Sequence, residues 1–354
     1  MHRAKNTVSK KEKLNLSQIL IGVAIGDAFG AGVEFQDRHW IRANVDFSRL
    51  VNARHTIAVP EQQKALFTQN YHPWDYTDDT EMTIGLLKAL CATEPFSEEL
   101  LIRKWKEEYD KGVQEKGYGR NGHGSMGWYY TGEKTIEEIK AFQRNRKNPG
   151  NAPAMRAVPL GLIREDLINT YAAINANATH PNINAILASQ CIARSAEYMI
   201  IKKGDPEKII AYCGQTIELN DEYQTYLSQV DHLPPYEALT EKDFKVLCGP
   251  QPICTPYFLE GINGVPSDAK YTTGCVLYIL KNSTHAMDAL KKSVYLGGDV
   301  DSVASITTGI MAGVFGLASI PGFMIEQLEG LDYLLKVAEK FEQHTKTSFF
   351  DPSY

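Results

Sequence analysis

The chain has 354 residues, 43% of them hydrophobic and 23% charged, with 43 acidic against 37 basic side chains and a formal charge of −6. That composition excludes a disordered chain and supplies apolar material for a large core, and the acidic balance excludes a protein that lives by coating nucleic acid. Six cysteines without CxxC spacing exclude zinc-ribbon and thioredoxin-like readings and point to reduced thiols.

Met1–Asn15 is polar and basic (Arg3, Lys5, Lys10, Lys11, Lys13) and lacks the apolar stretch of a signal peptide. A cytoplasmic protein is therefore expected, with residues 1–14 as a flexible basic tail ahead of one domain over 15–354. The first helix is expected from about Leu16 to Phe35. Gly22, Gly26 and Gly30 recur there every fourth residue, a stripe that weakens a helix and makes sense against another backbone. Asp27 and Glu34 lie seven apart on one face, so both carboxylates can point into one cavity, which makes Asp27 a candidate substrate contact.

A second helix should start at Thr77-Asp78-Asp79-Thr80, whose Asp and Thr side chains supply capping chemistry, and run to about Ala92. Further helical periodicity covers Phe96–Gly112, Thr135–Asn145, Ala185–Lys202, Glu207–Leu219, Thr272–Lys281, His285–Tyr295, Ser302–Ala318 and Phe323–Gln343. Gly-rich loops are expected at Lys116–Gly127 and Asn148–Gly161. The stretch Asn220–Lys270, with six prolines, reads as a long covering excursion. Ser302–Ile325 has no charged residue and is long enough to span a bilayer, but its Ser, Thr, Gly and Ala content, Pro321 and the preceding Asp299 and Asp301 fit a helix buried in a bundle. No series of strands is found, so the fold class is all-α.

Two acidic clusters carry the chemistry. Thr77-Asp78-Asp79-Thr80 sets two carboxylates among hydroxyls, and Gly297-Gly298-Asp299-Val300-Asp301-Ser302 sets two more at i, i+2 before a helix. Each is compatible with ordinary capping. Together they form a set of hard oxygen donors suited to Mg²⁺, Mn²⁺ or Ca²⁺ rather than zinc. Burial of Asp299 and Asp301 beside a long apolar helix would be costly without a neutralising cation.

With Gly26-Asp27-Ala28-Phe29-Gly30, Glu34-Phe35, Gly150-Asn151, Ala154-Met155-Arg156 and Thr179-His180-Pro181, these motifs resemble, in order and over most of the chain, those of the ADP-ribosylglycohydrolase family. The resemblance implies a single compact orthogonal multi-helix bundle around a binuclear Mg²⁺ or Mn²⁺ centre held by Thr77, Asp78, Asp79, Asp299, Asp301 and Ser302. It implies hydrolysis of the bond between the anomeric carbon of the distal ribose and an acceptor, most often arginine in an ADP-ribosylated protein. The metals would orient ribose hydroxyls and lower the pKa of water, and Asp301 and Glu34 are the candidate general acid/base groups. Gly119, Gly122, His123, Gly124 and Ser125 are candidates to wrap the diphosphate through backbone N–H groups, or form a surface loop. Asn151, Met155 and Arg156 fall where the family contacts ribose and diphosphate; for Arg156 a buried ion pair is the alternative. His180 either lines the ligand or caps a helix. Trp74, Tyr76, Trp128 and Tyr129 are adenine-stacking candidates or core.

Two departures from the family pattern stand out: Ala152-Pro153 where small glycine-containing pairs are common, and Ser302 where many relatives carry Thr. Alternative functions are hydrolysis of another ADP-ribose linkage (serine, nucleic acid or a free metabolite), or an immunity protein that blocks an ADP-ribosylating toxin through the basic tail. No membrane partner is expected, and nucleic acid is not a favoured one.

Overall fold

The computed structural model describes residues 15–53, 72–116, 124–254 and 260–348. Asn15 starts α1 (Leu16–Ala31) by accepting from the Gln18 N–H. There follow α2 (Arg38–Asn44), α3 (Asp78–Leu90), α4 (Glu98–Lys116), α5 (Gly124–Tyr130), α6 (Ile136–Arg144) and the single turn α7 (Ala152–Met155). The chain continues through α8 (Ile168–Asn177), α9 (Ile183–Ala196), α10 (Ile209–Thr216), α11 (Asp221–Asp231), α12 (Glu241–Leu247), α13 (Ala269–Lys281) and α14 (Ala286–Val294). It ends with α15 (Val300–Phe315), α16 (Gly322–Glu326) and α17 (Leu331–Ser348). Among the described residues there is no strand, only isolated bridges such as Gln36 with Gly298 and Val265 with Gly298. The all-α expectation is met.

The centre is the pair α1 and α15, both buried on almost every side. The glycine stripe sets how close they come. A Cβ at Gly26 would lie 2.2 Å from the Ala304 carbonyl oxygen, and one at Gly30 would lie 2.4 Å from the Asp301 Cα. Without side chains at these positions the backbone of α15 can sit directly on α1. The first part of the uncharged Ser302–Ile325 stretch, through Ala312, is thus buried inside a bundle. Helix α15 ends at Gly316, which takes a positive φ of 75°, and among the described residues no helix is long and apolar enough to cross a membrane.

Several boundaries differ from the sequence reading. The first helix stops at Ala31, and Phe35, beyond it, has φ 59°. That ending turns Glu34 out of the helical register with Asp27. The expected Asn148–Gly161 loop contains α7 and a 3₁₀ turn at Val158–Leu162, because Pro153 sits in the first helical turn where its missing N–H is harmless. The Asn220–Lys270 excursion contains α11, started by Asn220 accepting from the Tyr223 N–H, and α12, started by a capping box of Thr240 with Asp243. The expected Phe323–Gln343 helix is two helices, α16 and α17, divided at Gly330 with φ 61°. Helix α8 lies where none was expected.

Candidate active site

The site is assembled where α1 and α15 meet the start of α3. Gly297 and Gly298 have φ of 72° and 77°, and this turn is clamped from both sides. The Phe35 N–H donates to the Gly298 carbonyl at 2.7 Å, the Gly298 N–H to Gln36 at 2.9 Å, and the Asp299 N–H to Val265 at 2.8 Å. The glycines permit the tight turn expected of them, and it delivers Asp299 and Asp301 inward, 4% and 5% exposed.

The start of α3 is built differently from the expectation that its own Asp and Thr side chains cap it. Thr77, the residue at the N-cap, makes no side-chain cap bond. The cap comes from Asp27 on α1, which accepts from the backbone N–H and hydroxyl of Thr77 and of Thr80 at 2.6–3.0 Å. Asp27 supplies what a capping side chain normally supplies to the unpaired N–H groups of a first turn. Asp78 and Asp79 are thereby released from capping, and both line a cavity of about 200 Å³.

That cavity is also lined by Glu34, Asn151, Met155, His180, Asp299, Asp301 and Ser302. Seven sequence-selected carboxylate, hydroxyl or amide bearers are brought together there: Glu34, Asp78, Asp79, Asn151, Asp299, Asp301 and Ser302. Carboxylate oxygens of Glu34, Asp299 and Asp301 lie within 4.8 Å of one another. Asn151 donates from Nδ2 to Asp299 at 3.2 Å and to the Thr272 hydroxyl at 3.1 Å. Thr77, next to Asp78 at the N-cap of α3, is buried, and its hydroxyl donates to Asp27, which leaves the oxygen able to accept.

The electrostatics are those of crowded, buried carboxyl groups. Burial first, and then the charges of neighbouring carboxylates, pushes Asp78, Asp79 and Asp301 well above the usual carboxylate range. Burial pushes Asp299 up to about 6. Among the described residues no Lys or Arg forms an ion pair with Asp78, Asp79, Asp299 or Asp301, and Oδ1 of Asp79 is buried without any hydrogen-bond partner. A buried set of oxygen donors with an orphaned carboxylate oxygen fits a hard divalent cation.

Two expected contacts stand behind the cavity instead of in it. Asp27 spends both oxygens on Thr77 and Thr80. Arg156 is fully buried, donating to Asn175 at 2.7 and 3.0 Å and to the Thr179 hydroxyl at 2.8 Å, with its guanidinium 3.9 Å from the Trp105 ring centroid. Trp74 and Tyr76 are core, and Trp128 packs against Phe142 under Lys134. Gly119, Gly122 and His123 lie outside the described residues. Gly124 and Ser125 open α5. The basic tail that motivates a toxin-blocking role also lies outside them.

Sequence reasoning passed over Gln143, Arg146 and Ser267, which line the same cavity. Arg146 follows the end of α6 in the basic run Lys140–Lys147 and donates to Gln143 at 3.4 Å. Only the run of charge hinted at it. Ser267 precedes the N-cap of α13 and hydrogen-bonds Asp299, and no sequence signal marks it. The Ala152-Pro153 departure places Ala152 on the cavity wall and uses Pro153 to start α7.

Comparison with known proteins bears on the family and the fold. The model of the family described as ADP-ribosylglycohydrolase matches residues 14–349. ADP-ribosylhydrolase ARH3 of Homo sapiens is 22% identical over 336 residues, covering 88% of each chain. The Mus musculus protein of the same name is 23% identical over 283 residues, covering 73% of this chain and 74% of its own. An uncharacterized protein of Archaeoglobus fulgidus is 23% identical over 335 residues, covering 92% and 96%. A solved structure described as an ADP-ribosylglycohydrolase-related protein complex shares the fold with a TM-score of 0.62 at 19% identity, over 94% of this chain and 98% of that one.

Proposed function

The chain belongs to the ADP-ribosylglycohydrolase family, a family of metal-dependent hydrolases, and from that premise we propose that it releases ADP-ribose from a modified acceptor, foremost an arginine side chain of an ADP-ribosylated protein. The observation that carries this reading is the cavity in which Glu34, Asp78, Asp79, Asp299 and Asp301 converge, the four aspartates forming no ion pair with a Lys or Arg among the described residues. We assign Thr77, Asp78, Asp79, Asp299, Asp301 and Ser302 as the residues that would hold two Mg²⁺ or Mn²⁺ ions. Cations held there would supply Lewis-acid polarisation and neutralise the carboxylates.

The chain's own groups account for the rest. Net hydrolysis adds water across the C–N bond: oxygen joins the anomeric carbon, the acceptor nitrogen leaves, and the nitrogen gains a proton. The Asp301 and Glu34 carboxylates, which have oxygens within 4.8 Å of each other, would accept the water proton and return one to the leaving group. Asn151 fixes Asp299 through its amide, and α7 brings Met155 against the sugar. Arg146 and His180 provide donors for the ADP portion. The test offers the protein matched arginine-linked and serine-linked ADP-ribosyl substrates and measures free ADP-ribose. Faster release from arginine is expected. Release from serine alone reassigns the acceptor, and release from neither contradicts the hydrolase reading.

A further inference from the structure

His180 sits just past the end of α8, with its backbone N–H donating to the Ala176 carbonyl at 2.7 Å. Its ring is held by a buried chain. The Arg156 guanidinium donates to the Thr179 hydroxyl oxygen at 2.8 Å, and that same oxygen lies 2.8 Å from Nδ1 of His180. Arg156 and Thr179 are fully buried, and His180 is 4% exposed. Arginine can only donate. The Thr179 oxygen therefore accepts from Arg156, and its own proton needs an acceptor. Nδ1 is that acceptor, because no other group among the described residues receives a hydrogen bond from this hydroxyl. If Nδ1 carried the ring proton instead, the Thr179 hydroxyl proton would be buried without a partner.

We infer that Arg156 and Thr179 are positioning residues that lock His180 as the neutral tautomer with its proton on Nε2, so that the imidazole serves as a one-way hydrogen-bond donor to an oxygen of the bound ligand. The other ring nitrogen is the one left for a ligand. His180 and Gly150 both line the cavity, and Nε2 is the ring atom on the Gly150 side, 3.1 Å from where a Cβ on that glycine would stand. Burial, with the positive charges of Arg156 and Arg146, also holds the imidazole well below its ordinary pKa. Neutral imidazole with Nδ1 occupied cannot act as an acid/base group at neutral pH, which leaves proton transfer to the carboxylates. Arg156 thus acts on the cavity at one remove, through Thr179.

The tautomer half of the inference is independent of the reaction, and only its ligand half rests on the ADP-ribose reading. The full-length protein with ¹⁵N-labelled histidine is examined by NMR, the His180 signals being identified by their loss in His180→Gln. Protonated Nε2 and bare Nδ1 are expected in the wild type. Thr179→Val should mix or reverse the tautomers and weaken ADP-ribose binding about tenfold, the loss of one oriented hydrogen bond, and Thr179→Ser should restore both. A proton on Nδ1 in the wild type overturns the inference even if Thr179→Val fails to fold, and so does an unchanged tautomer in a folded Thr179→Val. Normal tautomer behaviour with no ADP-ribose binding by the wild type would instead contradict the functional reading and leave the relay standing.

Discussion

Gly30 on α1 lies so close to Asp301 on α15 that a Cβ added to Gly30 would stand 2.4 Å from the Asp301 Cα. The glycine that weakens one helix therefore fixes where the other helix begins, and with it the carboxylate at the centre of the site.

Substitution at this contact should damage stability and activity together. Gly30→Ala must push α15 away and is expected to cost about 1–3 kcal/mol by overpacking, with reduced ADP-ribose release because Asp301 moves. Gly26→Ala, against Ala304, should cost at least as much. Gly214→Ala in α10, where a Cβ meets nothing within 4 Å, should be stabilising by about 0.5–1 kcal/mol. Chemical denaturation curves for the three variants check the order, and equal stabilities would refute the close-packing account.

Asp27 is expected to act as a clamp. Asp27→Asn replaces an acceptor oxygen by a donor facing the N–H and hydroxyl groups of Thr77 and Thr80, a loss of about 2–3 kcal/mol. Because that turn carries Asp78 and Asp79, affinity for divalent cation should fall as well. Thermal unfolding and calorimetric metal titration measure the two effects, and a variant with normal values of both would show that α3 caps itself.

The buried carboxyls make cation binding and pH depend on each other. Asp78, Asp79, Asp299 and Asp301 all have folded-state pKa values raised above their unfolded ones, with Asp299 at about 6. A raised carboxyl binds protons more tightly when folded, so its contribution is present below the unfolded pKa and is lost as pH rises through the folded value. The metal-stripped protein should thus be progressively destabilised by these groups as pH rises from the unfolded carboxylate range through the Asp299 value of about 6 and beyond, and added Mg²⁺ should raise the melting temperature more at the alkaline end. Melting curves with chelator and with Mg²⁺ across that range provide the check; a cation-induced shift that shrinks with rising pH would be the wrong sign.

Arg146 is exposed at the cavity wall and is expected to contact the ligand without supporting the fold. Arg146→Ala should weaken ADP-ribose binding by about five- to tenfold while stability stays within about 0.5 kcal/mol of wild type. Unchanged affinity by calorimetry would remove Arg146 from the binding surface.

The central architecture was readable because local signals and tertiary demands coincide there. A glycine every fourth residue in α1 has one economical explanation, a close helix, and Gly297-Gly298 ahead of Asp299 marks a turn that only glycines enter easily. Asp27 shows the reverse case. Its position on the face shared with Glu34 suggested the cavity, but the helix ends before Glu34, and the partners that decide the matter, Thr77 and Thr80, are fifty residues away. Helix α8 escaped notice because apolar residues surround it without a clear face. The capping box of Thr240 and Asp243 is written in the sequence, within a stretch whose six prolines read as irregular chain. Arg146 and Ser267 had no legible role, since each reaches the cavity only through packing of distant segments.

The most direct measurement is the initial rate of ADP-ribose release from an arginine-ADP-ribosylated protein by metal-stripped enzyme, before and after adding Mg²⁺ or Mn²⁺, for wild type and Asp301→Ala. Release that returns with the cation in the wild type and stays absent in Asp301→Ala is the predicted result. Release that continues without any divalent cation, or that survives loss of Asp301, would contradict an acidic metal-holding cavity as the seat of the reaction.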